Sequence, residues 1–139
     1  MSDATYGPGV YKKDGGEELV VADGGKITVE AGGAIEQVSG SATCSSNAAT
    51  INAQVGVITS ESLTTAAAGS QALTITCDQC VATDVIQVTR NGGTSATGTP
   101  VIKAVPGAGS FVVTIDNKHA SAAFNGTFII GFVIHKVAV

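Results

Sequence analysis

The sequence predicts an all-β protein, a β-sandwich or jelly-roll-like domain preceded by a glycine-rich N-terminal β-arm that forms a short β-solenoid or a meander. Three observations predict this. Gly, Ala, Thr, Ser and Val dominate the chain while Leu is scarce and Trp absent, a composition that suits short strands and tight turns better than amphipathic helices. Apolar and polar residues alternate in short runs separated by Gly, Pro and Asn, as in half-buried strands. Near the N-terminus, glycine pairs recur at intervals of nine and then eight residues.

Those pairs, Gly15-Gly16, Gly24-Gly25 and Gly32-Gly33, define an arm over residues 1–40. Each is followed by a short apolar segment: Leu19 and Val21, then Ile27 and Val29, then Ile35. A glycine pair supplies a corner with positive φ, and each run supplies one short strand. A strand of about five residues cannot bury its apolar side alone. Either successive passes stack, or identical segments of neighbouring subunits wind together, or the segment is a plain meander. Tyr11, Leu19, Val21, Ile27, Val29 and Ile35 are the candidate interaction residues of this arm.

The small polar run from Ser39 to Asn47 reads as a joint, with the sandwich domain over residues 41–139. Ala49 to Thr59 alternates in part, through Ile51, Ala53, Val55, Val57 and Ile58. Ser60 to Gly69 is the one candidate helical turn. Leu73, Ile75 and Cys77 alternate with threonines, and Val85, Ile86 and Val88 form a strand that ends at Asn91-Gly92-Gly93. Pro100 opens a strand over Val101 to Val105, and Pro106-Gly107-Ala108-Gly109 closes it, since proline donates nothing to a ladder. Phe111, Val113 and Ile115 share one face of the next strand, and Asp116-Asn117-Lys118-His119 reads as its turn. Thr127 to Val139 is nearly apolar on both faces, which marks a central or subunit-contact strand.

With 139 residues the chain holds one core, and at 13% charged residues it lacks the signature of disorder. The net charge of −4 and the scattered basic residues argue against capture of nucleic acid or of an anionic membrane. The first residues lack the apolar stretch of an export signal, and the C-terminal apolar run is shorter than a bilayer span and interrupted by His135 and Lys136. Synthesis in a cytoplasm is the expectation, with the three cysteines as free thiols.

Chemistry-bearing motifs are few. Cys77-Asp78-Gln79-Cys80 is a CxxC that, with Cys44, offers three thiols as a weak metal candidate, but tetrahedral zinc needs a fourth ligand and neither His119 nor His135 stands at zinc-finger spacing. A redox CxxC belongs at a helix N-terminus, and this one ends a strand. No GxSxG occurs, and neither histidine has a triad frame. Glu17, Glu18, Glu30 and Glu36 lie in the arm without the aromatic platform a glycosidase pair would need. No cofactor and no catalytic residue is expected.

Gly7-Pro8-Gly9-Val10-Tyr11 followed by GGKITVEAGGAIEQVSG resembles the N-terminal part of small virion proteins of tailed bacteriophages. VPGAGSFVVTIDNKHASAAFNGTFIIGFVI, from Val105, is similar to their C-terminal part. The resemblance implies a capsid decoration, or cement, protein on the virion surface, a homotrimer whose partners are its own copies and the major capsid protein. The CDQC pair is outside that pattern. The alternatives are a head-fibre or tail component and a carbohydrate-binding or adhesin-like module, the latter disfavoured by 4% aromatics and no Trp.

Overall fold

A computed structural model describes the backbone of residues 10–12 and 19–137 and the side chains of residues 20–137. Gly15-Gly16, Glu17, Glu18 and Ala138-Val139 lie outside the described residues, as do the side chains of Tyr11 and Leu19. The described chain is all-β, with no helix. It divides into two units, Met1–Glu36 and Gln37–Val139.

In the first unit β1 (Val10–Lys12) pairs antiparallel with β2 (Leu19–Val21), Tyr11 standing opposite Val20. Beyond β2 the strands expected around Ile27 and Ile35 do not form a ladder among the described residues. The chain runs extended between two tight turns, at Ala22–Gly25 and Glu30–Gly33. Local alternation there has no neighbouring strand to pair with, and pairing is what makes a strand.

In the second unit two four-stranded sheets enclose one core. One has the order β4 (Ala48–Thr50), β7 (Ser70–Thr76), β10 (Ser110–Asn117), β9 (Pro100–Gly107). The other has the order β3 (Ser39–Thr43), β5 (Val55–Thr59), β12 (Ile129–His135), β8 (Val85–Gly92). Neighbours are antiparallel except at one edge of each sheet, where β3 runs parallel to β5 and β4 parallel to β7. A short pair, β6 (Leu63–Thr65) with β11 (Phe124–Gly126), completes the unit.

Two expectations change here. Ser39–Thr43, read as part of a joint, is strand β3, so the unit boundary falls at 36/37 instead of 40/41. Its small residues serve close approach. A side chain at Gly40 would strike Ile51 Cγ2 at 2.7 Å, and one at Gly56 would collide with the Gly40 carbonyl oxygen and, at 2.8 Å, with the Phe132 ring. Ser60 to Gly69 contains strand β6 and a turn, with no helix.

The alternation expected in β10 is realised: Phe111, Val113 and Ile115 are buried, as are Leu73 and Ile75 of β7 facing the same core. From the opposite sheet come Ile58, Ile130, Phe132 and Ile134. All four phenylalanines are buried. Phe111 and Phe132 meet between the sheets with ring centroids 5.1 Å apart, and Phe124 stands edge-on to Phe128 at 5.0 Å. Arg90 lies 4.9 Å over the Phe128 ring while its guanidinium donates to the Ser95 carbonyl at 2.6 Å, holding the Gly92-Gly93 loop onto this end of the core.

Asp116 and Asn117, expected in a turn, end β10 and are buried. The Asn117 side-chain amide donates to the carbonyls of Thr65, Ala66 and Ala122, and its oxygen accepts from the amides of Thr99 and His119 at 3.1 Å. One residue thereby ties together three connections, after β6, before β9 and after β10. The same cluster holds Ala68 at a φ of 57°, its amide donating to the His119 carbonyl at 3.2 Å. A left-handed non-glycine costs about 1–3 kcal/mol and persists only where its surroundings impose it. Replacing Asn117→Ala leaves buried backbone groups of three loops unpaired, and we expect a loss of about 2–4 kcal/mol in urea unfolding, with the m-value unchanged.

Candidate functional site

The interaction residues expected in the arm are exposed wherever their side chains are described. Relative exposure is 57% for Ile27, 43% for Val29 and 72% for Ile35, with Val21 at 37%. The glycines at the third position of the two turns, Gly24 and Gly32, have φ of 77° and 87°, the corner conformation that the glycine pairs predict. The structure brings the apolar residues of residues 20–36 onto no core of their own among the described residues.

The second unit presents a different surface. On the outer face of the β3-β5-β12-β8 sheet lies a trough of about 570 Å³. Strand register sets its floor in two rows, Ser41, Val57, Gly131 and Thr89, then Ser39, Val55, Val133 and Gln87. Gly131 is the low point: a side chain there would come within 2.7 Å of Asn91 Nδ2, so the Asn91 amide lies over it. Among the described residues no charged side chain lines the trough. The sequence reading did not single out this surface. Its signal was present in the apolar outer residues Val55 and Val57 of β5 and Val133 of β12, but the contribution of β3 and β8 depends on tertiary pairing.

The cysteines are buried free thiols at three separate jobs of packing and turn formation. Cys77-Asp78-Gln79-Cys80 is a tight turn, closed by Cys80 N donating to Cys77 O at 3.1 Å. It is fastened to the β9–β10 turn, with Cys77 N donating to Gly109 O at 3.0 Å and Gly109 N to Cys80 O at 2.9 Å. Burial pushes the thiol pKa up at Cys44 and at Cys80, reinforced at Cys44 by Glu61, so thiolate is disfavoured where a nucleophile or metal ligand would need it. Among the described residues no group of three His, Cys, Asp or Glu side chains is placed to hold a metal ion.

Both histidines and three carboxylates of this unit make contacts that shape its loops and strand ends. His119 Nδ1 accepts from the amides of Ser121 and Ala122, at 3.1 and 2.8 Å, and so shapes the loop after β10. His135, at the end of β12, faces Gln87 Oε1 at 3.4 Å. Glu61 caps the β3–β4 turn by accepting from the amides of Ser46 and Asn47, both at positive φ. Asp84 accepts from Lys136 at 2.7 Å and from the Val81 amide, contacts that hold its carboxyl below the usual range.

Asp116 is the most perturbed carboxylate. The Ser70 hydroxyl, then Lys103 at 3.0 Å, lower its pKa from 3.8 to about 2, with Lys118 at 3.4 Å assisting. Because the folded protein refuses a proton that the unfolded chain accepts, the stability this carboxylate adds is fully present above the unfolded value and is lost as pH falls from about 4 through about 2. Asp116→Asn should therefore flatten the acid limb: the urea midpoint is expected to drop less than in the wild type between neutral pH and about pH 3.

Compared with known proteins, the chain matches no family model, no curated protein and no solved structure.

Proposed function

We propose that the protein is a capsid decoration, or cement, protein of a tailed bacteriophage, a homotrimer that sits on the capsid surface and stabilises the head by non-covalent contacts. The observation that carries this reading is the contrast between the units: the sandwich closes its own core, whereas Ile27, Val29 and Ile35 of the arm stand exposed. Side chains of that kind in an extended segment suit addition to neighbouring chains. The arm reaches the major capsid protein or adjacent trimers, and many weak contacts repeated over a shell act together to resist internal pressure. The resemblance of both ends of the chain to phage virion proteins supports the same reading, as does the commitment of its thiols, histidines and buried carboxylates to packing and turns.

Removing residues 1–36 should leave a sandwich with an unchanged melting profile and reduce occupancy on purified capsids by about tenfold or more. Full occupancy by the truncated chain would overturn the assignment. Copies per virion separate this role from that of a head-fibre or tail component, at hundreds against tens.

The uncharged trough over Gly131 favours a second reading, a carbohydrate-binding module. Valine floor and amide or hydroxyl rims suit a neutral saccharide, whose ring has an apolar face and polar edges. Isothermal calorimetry with neutral oligosaccharides is expected to give saturable heat that Gly131→Leu abolishes if this reading holds. Absence of heat from the wild type across a glycan panel eliminates it.

A further inference from the structure

The arm repeats itself in three dimensions as well as in sequence. Ala22–Gly25 and Glu30–Gly33 are the same turn, eight residues apart, with the fourth amide donating to the first carbonyl at 2.8 and 2.9 Å. A glycine with positive φ holds the third position of both, the type II pattern. A side chain built at Gly24 or Gly32 meets nothing within 4 Å, so these glycines answer to backbone conformation and not to crowding. Ile27 and Ile35 follow their turns at the same distance, and both are more than half exposed. Between the turns the backbone has no ladder partner among the described residues.

What covers such a segment must meet three conditions together. It has to offer backbone donors and acceptors along an extended chain, apolar side chains every eight residues, and a bend at each turn. A second copy of residues 22–37 meets all three by identity, whereas another protein would need the same period independently. Rotation about an axis along the segment keeps every turn level with its counterpart and bending in the same sense, and a closed three-fold arrangement makes the copies parallel. Charge opposes this register only in part: Asp23, Lys26, Glu30 and Glu36 are the four charged groups among these 16 residues, and all four are exposed, so that they can turn outward into water, where like-charge repulsion is weak.

We infer that residues 22–37 associate with the same residues of two further copies, parallel and in register, so that Ile27 packs against Ile27 and Ile35 against Ile35 around a shared axis. The number of copies rests on the homotrimer of the proposed function; the pairing rests on the repeated turn and the exposed isoleucines. The arm is then a self-assembly element first, and presents its outer side to the scaffold only once wound.

Full-length protein in sedimentation equilibrium should show three times the 13.7 kDa chain mass, and the double variant Ile27→Asp/Ile35→Asp should fall to the mass of one chain with the circular dichroism of the sandwich retained. Ile35→Cys under mild oxidation should give a disulfide between two copies of the same position, which an antiparallel pair would not, while the buried native thiols stay free in the wild-type control. A wild type that remains monomeric at every concentration overturns the inference, as does a double variant of undiminished mass or an Ile35→Cys chain that does not cross-link. Trimers that cross-link in this way yet never bind capsids would support the pairing and sink the proposed function, so the two failures are separable.

Discussion

The second unit depends on one close approach, that of two sheets across the Phe111–Phe132 contact. Phe132 projects from the central strand β12, Phe111 from the central strand β10 of the other sheet, and their rings sit at 5.1 Å. Space for Phe132 exists because Gly56 on β5 has no side chain, and the same absence lets the β3 backbone come against β5. A glycine inside a strand costs roughly 0.5–1 kcal/mol relative to alanine. Here that cost is offset by seating one of the largest side chains of the core in full burial.

Once the sheets meet, the loops that join them need partners for backbone groups withdrawn from water. Side chains provide these at defined places. Asn117 serves three connections, Ser60 holds the segment entering β12 by accepting from Phe128 N at 2.8 Å, and Arg90 secures the loop after β8. Groups that would elsewhere suggest chemistry are used in the same way. His119 and the CDQC turn are loop fasteners, and Asp116 is the anchor for Ser70 and two lysines.

The two units thus differ in what they leave unsatisfied. The sandwich buries Leu73, Ile75, Val113, Ile115 and all four phenylalanines within itself. The arm has regular turns and apolar side chains but, among the described residues, no interior. A short strand with no interior of its own gains burial only from a neighbouring surface, and that is the physical difference between the two units.

Strand content and the main burial alternation were legible from sequence, because side-chain period is a local property. The faces of Leu73–Ile75 and Phe111–Ile115 and the corners at Gly24 and Gly32 follow from neighbours within a few residues, whereas β9 runs on through Pro106 to Gly107, paired with β10, and the turn expected from Pro106 is confined to Ala108–Gly109. The apolar residues of the arm were legible for the same reason, since isoleucines beside glycine corners announce themselves without knowledge of the fold. What local pattern does not carry is pairing between distant segments. That β3 is a strand, that β3 and β4 run parallel to their neighbours, that Asn117 closes three loops instead of opening one, and that Ser39, Val57, Gln87 and Gly131 share a trough all depend on contacts across tens of residues. Sequence alone determined which residues prefer to be strand and which prefer to be buried; only the tertiary structure decided which strands meet, because hydrogen-bonded register is a relation between segments and not a property of either one.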